Sequence, residues 1–316
     1  MAVRTSSAPV TLPAQRDRSG PRHRGAWRYY RRLTPWLFLA PALTFFGVFK
    51  FWPSIWGAYL SLFHVRPYLG DEWVGLANFS RALGDPDLRA AVGHTVLDAA
   101  VQVGGSMFVG FLLALLLEGP ARHIRVLRTA VFLPAVTAMV AVAELWQTLL
   151  YPGRYGAVNS LLGDFGLGPA PFLSSPHSSL WTVMLVQIWK NAPYDMVIFI
   201  AGLVGVDRQL YESASIDGAN AWQKLWAVTL PSLRPITTIV LILGMIRGLR
   251  VFTEIYVLTP GGGPGGSTES IVTYVVKNVV VGSDAGYAAA MSAMLLFATI
   301  ILTGATLWWR RRREDA

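Results

Sequence analysis

Apolar residues along this chain fall in long blocks, and the blocks set the elements. They run at Trp36–Phe63, Ala91–Leu117, Thr129–Leu150, Leu180–Val206, Pro235–Leu258 and Tyr287–Trp309. Crossing a hydrocarbon core of roughly 30 Å takes about 20 residues at 1.5 Å of helical rise each. Strand-like alternation is missing, so helices rather than a closed barrel are the spanning structures. The pattern predicts an all-α, polytopic membrane protein with about six transmembrane helices.

The polar segments between the blocks predict the topology. Residues 1–34 are rich in Arg, Ser and Pro and read as a disordered tail. Arg31-Arg32 ahead of an apolar run looks like a twin-arginine export signal, but five further blocks predict an anchored first helix instead. With six crossings both termini share one side. That side carries eighteen of the 27 Lys and Arg, in the tail, at Arg122, Arg125, Arg128, Arg208, Lys224 and Arg234, and at Arg310 to Arg313. The other side holds five, Arg66, Arg81, Arg89, Arg154 and Lys277. Basic residues accumulate on the cytoplasmic face, so both termini are expected there. The expected outer segments include the acidic stretch 65–90 and a glycine-rich loop, Pro260 to Gly266, that is flexible or tightly turned.

Composition removes several function classes. The chain is 53% apolar and 14% charged, a balance that suits lipid rather than water. Its net charge of +9 sits beside the apolar blocks and accompanies no nucleic-acid motif, so no nucleic acid is expected. There is no cysteine, the five histidines have no metal-ligand spacing, and no catalytic triplet is evident. No metal and no bound cofactor are expected. A phosphate loop of the form G-x-x-x-x-G-K-[ST] does not occur either.

One expected inner loop, residues 207–231, is unlike a connector. Asp207 is placed to cap a short helix and Gly218 suits a sharp turn into a second, which predicts a helix-turn-helix at the membrane surface. Glu212-Ser213-Ala214, Asp217-Gly218-Ala219 and Leu230-Pro231 together resemble the EAA loop of permeases in bacterial ATP-binding-cassette importers. Ser213 stands where that family's triplet usually has its first alanine. Other segments resemble the carbohydrate-uptake branch, which includes maltose-type and glycerol-3-phosphate-type permeases. They are Val74 to Phe79, Phe132-Leu133-Pro134, Gly156 to Asn159, Trp189 to Tyr194 and Tyr256 to Pro264.

The resemblance implies a type I ABC importer permease fold, with a first helix and periplasmic loop over 35–90, a permease core over 91–309 and a cytoplasmic tail over 310–316. It implies that Glu212, Ala214, Asp217, Gly218, Ala219 and Pro231 couple the chain to a motor. The implied partners are a second homologous permease subunit, two ATP-binding cassette subunits that hydrolyse ATP, an extracytoplasmic solute-binding protein and the lipid bilayer of a bacterial inner membrane. The solute is then a sugar or a related polyol or glycerol phosphate.

Polar residues within the blocks are expensive in lipid and are expected to face the bundle interior or water. The candidate solute path is Gln102, Glu144, Trp146, Lys190, Asn191, Tyr194, Asp195 and Arg247, in which aromatic faces beside hydroxyl-binding groups suit a polyhydroxylated ligand. Asp98, Gln147, Arg250 and Glu254 share the same depth, and Arg250 and Glu254, four residues apart, are expected to neutralise one another on one helix face. Pro134 and Pro193 are expected to interrupt their spans. Each aromatic is also explicable as packing. Rival readings are a secondary transporter driven by an ion gradient, which needs no docking loop and usually shows internal repeats, and a membrane-embedded enzyme.

Overall fold

The computed structural model describes residues 24–66 and 70–314. Residues 1–23 of the expected tail lie outside them, and its remainder is helical: α1 (Arg24–Phe46) begins ten residues before the predicted tail ends. A wide turn at Gly47–Phe51 leads into α2 (Trp52–Leu60), and Thr34–Leu60 forms one apolar run of 27 residues. Pro53 has no N–H to donate, and the wide turn just before it accommodates that loss without ending the helix. Chain contacts divide the molecule into two compact units at Trp56. Within the first, Lys50 sits 5.7 Å from the centre of the Phe46 ring.

The second unit takes up the end of α2 and then a small antiparallel ribbon, β1 (Phe63–His64) and β2 (Glu72–Trp73), the one sheet among the described residues. Then come α3 (Ala77–Gly84), α4 (Pro86–Leu117), α5 (Arg122–Val136), α6 (Met139–Leu149), α7 (Ala157–Asp164) and α8 (Ser179–Val204). Next are α9 (Arg208–Ile216), α10 (Ala221–Lys224), α11 (Leu230–Ser232), α12 (Arg234–Leu249) and α13 (Thr253–Leu258). The chain closes with α14 (Ile271–Val280) and α15 (Ala285–Glu314).

Helix α8 is the axis of the bundle. Its neighbour α4 lies parallel to it, and Ala114, Leu117, Met196, Phe199, Ile200 and Leu203 form one core with Leu233 and Val240. Lipid supplies no hydrophobic drive between helices, so small residues that permit close backbone approach decide the packing. Gly110 is such a point: a Cβ there would lie 2.8 Å from Ala192 O and from Asp195 Cβ. Gly248 on α12 is another, 2.8 Å from Ala99 Cβ on α4.

Two predicted spans are broken rather than straight. The third, expected over Thr129–Leu150, is α5 and α6 meeting at 95°. Pro134 near the end of α5 and the extended Thr137 (φ −68°, ψ 141°) and Ala138 account for the elbow. The fifth, expected over Pro235–Leu258, ends at Leu249, and Arg250 and Phe252 leave helical geometry before α13 starts. Arg250 and Glu254 therefore do not share a helix and form no ion pair. Pro193, expected to interrupt the fourth span, instead sits buried inside an unbroken α8. The sixth span runs on as helix to Glu314. The glycine-rich loop is tightly turned, with Gly261, Gly262, Gly263, Gly265 and Gly266 all at positive φ and Thr268 donating its N–H to Gly262 O at 2.9 Å.

The end of the bundle away from α9 is fastened by Asp85. Its carboxylate caps α4 through the N–H groups of Asp87 and Leu88 and accepts from the hydroxyls of Tyr274 (2.8 Å) and Tyr287. Arg81 lies over the Tyr287 ring and pairs with Asp284 at 2.6 Å. Burial pushes the Asp85 carboxyl up, but the four donors outweigh it and hold it below its ordinary value of 3.8. Burial and the Asp85 charge push the Tyr274 hydroxyl up to about 12, so it remains a donor at neutral pH. A lowered folded-state pKa means that the stabilisation is present above the unfolded value near 4 and is lost as pH falls through the folded one. Asp85→Asn is expected to lower the thermal midpoint at pH 7 by about 2–4 °C, the equivalent of roughly one charge-assisted hydrogen bond. Its midpoint should fall less than that of the parent protein between pH 5 and 3, which a fluorescence melt across that range checks.

Candidate functional site

Where α8 stops, the chain builds a hairpin from local rules. Asp207 accepts from the Gln209 N–H at 2.9 Å and starts α9. The helix ends in a two-bond motif, Ala219 N–H to Ala214 O at 2.9 Å and Gly218 N–H to Ser215 O at 3.1 Å, with Gly218 at φ +76°. A Cβ on Gly218 would meet nothing within 4 Å, so the left-handed backbone alone asks for glycine here. Asn220 and Gln223 then cap each other's backbone N–H groups at 2.8 and 2.9 Å, starting α10.

Two ties cross the hairpin. The hydroxyls of Tyr211 and Thr229 meet at 3.0 Å, and Lys224 Nζ donates to Ser215 Oγ at 2.8 Å. Pro231 is half-buried in α11, where the second arm turns through 65° into α12. Glu212 and Asp217 are exposed, as are Leu210, Trp222, Trp226 and, at 87%, Ile216. The hairpin is thus fastened from within and holds apolar side chains and an acid outward. The Asn-x-x-Gln cap was legible in the sequence and was not singled out. The Tyr211–Thr229 and Lys224–Ser215 ties lie 18 and 9 residues apart and had no signal of their own.

The second feature is a cavity of roughly 330 Å³ lined by Gln102 from α4, Gln187 and Asn191 from α8, Arg247 from α12, and Arg250 and Glu254 near its break. Arg247 Nη2 donates to Asp195 Oδ1 at 2.7 Å, and Asp195 is 1% exposed. Asp195 Oδ2, Arg247 Nε and both amide atoms of Gln102 have no hydrogen-bond partner among the described residues. Unpartnered donors and acceptors in an apolar bundle suit a ligand that carries many hydroxyls. Gln187 was missed by sequence reasoning, although a glutamine inside an apolar block is itself a signal.

The remaining candidates stand elsewhere. Lys190 Nζ donates to the carbonyls of Pro134, Ala135 and Thr137 at 2.8, 2.9 and 2.6 Å, and the Tyr194 hydroxyl donates to Ala135 O at 2.7 Å. Both are thus engaged at the α5–α6 elbow. Trp146 meets Trp189 edge-on at 5.5 Å, and Glu144 is exposed on α6. Gln147 holds the end of α13 through Val257 O at 2.7 Å, and Asp98 is fully buried.

Comparison with known proteins supplies independent findings. Residues 106–314 match the family model described as "Binding-protein-dependent transport system inner membrane component". The chain is 33% identical over 268 residues to the trehalose/maltose transport system permease protein MalF of Thermococcus litoralis, covering 84% of this chain and 90% of that one. It is 31% identical over 270 residues to the arabinooligosaccharides transport system permease protein AraP of Bacillus subtilis, covering 84% and 85%. It is 31% identical over 256 residues to the lactose transport system permease protein LacF of Rhizobium radiobacter, covering 80% and 85%. A chain in the crystal structure of a bacterial ABC transporter that imports the acidic polysaccharide alginate superposes with a TM-score of 0.80 at 25% identity, over 90% of this chain and 98% of that one.

Proposed function

Because the chain belongs to the family of binding-protein-dependent transport system inner membrane components, we propose that it forms part of the pore of an ATP-driven importer for a carbohydrate. Its work is passage of solute through a multi-pass membrane protein, and ATP is hydrolysed on two partner subunits that seat on the 207–231 hairpin. A second, homologous permease completes the pore, and an extracytoplasmic binding protein delivers the solute. The observation that carries this reading is the hairpin itself, capped at Asp207 and Asn220, turned at Gly218 and tied twice across, with its apolar residues exposed.

The hairpin shares its end of the bundle with Arg122, Arg125, Arg128 and Arg234 and with the arginine-rich end of α15. That concentration of positive charge is the cytoplasmic signature and supports the reading that both termini lie on the cytoplasmic side of a bacterial inner membrane. The solute class follows from two supports. Trehalose/maltose, arabinooligosaccharide and lactose systems give the relatives their names. In the cavity, Arg247 is already balanced by Asp195, and the amides of Gln102, Gln187 and Asn191 match hydroxyl groups.

Vesicles holding the assembled transporter test the energy source, with radiolabelled maltose and lactose as first probes alongside glycerol 3-phosphate. Uptake that requires ATP and survives an uncoupler is the expected result. Uptake that persists without ATP and collapses with the uncoupler would establish the ion-gradient carrier instead.

A further inference from the structure

The α5–α6 elbow bends by 95° inside a predicted span, and its chemistry is unusual for the membrane interior. A helix that stops leaves its last carbonyls without partners, and in hydrocarbon no water is at hand to satisfy them. Pro134 and the extended Thr137 and Ala138 create that situation halfway across the third span, where Thr137 donates its N–H to Pro134 O at 3.3 Å and the other carbonyls look outside the helix for donors. The structure answers it from another helix. Lys190 on α8, 7% exposed, sends its ammonium to three of the carbonyls at once, those of Pro134, Ala135 and Thr137. The Tyr194 hydroxyl, one turn further along the same face of α8, takes a second bond to Ala135 O. A cation at a helix C-terminus also meets the negative end of the α5 dipole.

We propose that Lys190 is a positioning residue, a cross-helix cap that binds the α5–α6 elbow to α8 so that the two move as one body during transport. This replaces a contact between Lys190 and solute, since all three hydrogens of its ammonium are already directed at carbonyls. The lysine is suited to the task because its three donors radiate from one point, whereas the planar guanidinium of arginine presents a fork matched to two parallel acceptors. Tyr194 adds a fourth tie between the helices, at 2.7 Å. The link places Trp146 of α6 against Trp189 of α8 and leaves Asn191, the residue after Lys190, facing the cavity.

The meaning for transport rests on the proposed importer function, but the link itself is testable without solute or ATP. The chain has no cysteine, so introduced pairs can be spin-labelled uniquely. One pair, Val126→Cys with Leu145→Cys, spans the elbow at exposed positions of α5 and α6. A control pair, Val280→Cys with Ile300→Cys, spans α14 and α15. Distances are measured in the full-length chain in lipid nanodiscs, with and without Lys190→Met. The elbow distribution is expected to broaden roughly twofold or to shift while the control stays unchanged, because Thr137 O loses its donor, Pro134 O keeps only the Thr137 N–H and Ala135 O only the Tyr194 hydroxyl, and the bend gains alternative states. Tyr194→Phe should give a smaller broadening. An elbow distribution unaltered by Lys190→Met would overturn the proposal, and so would equal broadening of both pairs, which is general loosening. Failure of ATP-driven uptake in the parent transporter would count against the importer and leave the distance result standing.

Discussion

Gly218→Pro is expected to reduce ATP-driven uptake by more than about tenfold while the chain still inserts in the membrane, a loss equivalent to roughly 1.4 kcal/mol or more of productive docking. The reason is local. Proline fixes φ near −65°, whereas this position sits at +76°, and it removes the N–H that bonds Ser215 O. The turn cannot close, so α10 leaves in a different direction and the Tyr211–Thr229 and Lys224–Ser215 ties are lost. Gly218→Ala keeps the N–H and finds open space for its methyl, so it carries only the left-handed strain of about 1–2 kcal/mol. Its uptake should fall between the two. Glu212→Lys leaves every bond of the hairpin intact and reverses an exposed charge, so it separates docking from folding. Vesicle uptake, read against the amount of inserted chain and the ATPase rate of the complex, checks the series. Parent-level uptake by both Gly218→Pro and Glu212→Lys would remove the hairpin from the mechanism.

Asp195→Ala is expected to be the most destabilising single change in the bundle. It would leave the half-buried Arg247 charged beside the cavity with its carboxylate partner gone, at a cost somewhat below the roughly 3–5 kcal/mol of a fully buried uncompensated charge. In melts of the purified protein this corresponds to a midpoint about 3–6 °C lower. The double variant Asp195→Ala, Arg247→Leu removes both charges and should recover most of that loss, because a well-packed apolar pair in place of a buried ion pair is often near neutral. Recovery of stability without recovery of uptake would place the pair at the solute path as well. An Asp195→Ala midpoint equal to that of the parent would show that Arg247 finds another partner and that the pair is not what holds α8 to α12.

Much of this architecture is one-dimensional information. Six apolar blocks, the charge bias between them, the Asp207 cap and the Gly218 turn each depend on neighbours within a few residues, so the sequence alone determines them, and with them the spans and the hairpin. The tertiary structure decided what long-range contact decides. Pro134 and Pro193 look alike in the chain, yet one lies at a 95° elbow and the other inside an unbroken helix. The elbow's carbonyls have Lys190 within reach, a partner more than fifty positions away, and local pattern holds no trace of that pairing. For the same reason Arg247 found Asp195, 52 residues distant, while the neighbouring Arg250 and Glu254 were parted by a helix end. A charge in a low-dielectric bundle goes to the acceptor that three-dimensional packing brings within hydrogen-bonding distance, and only the folded chain specifies which one that is.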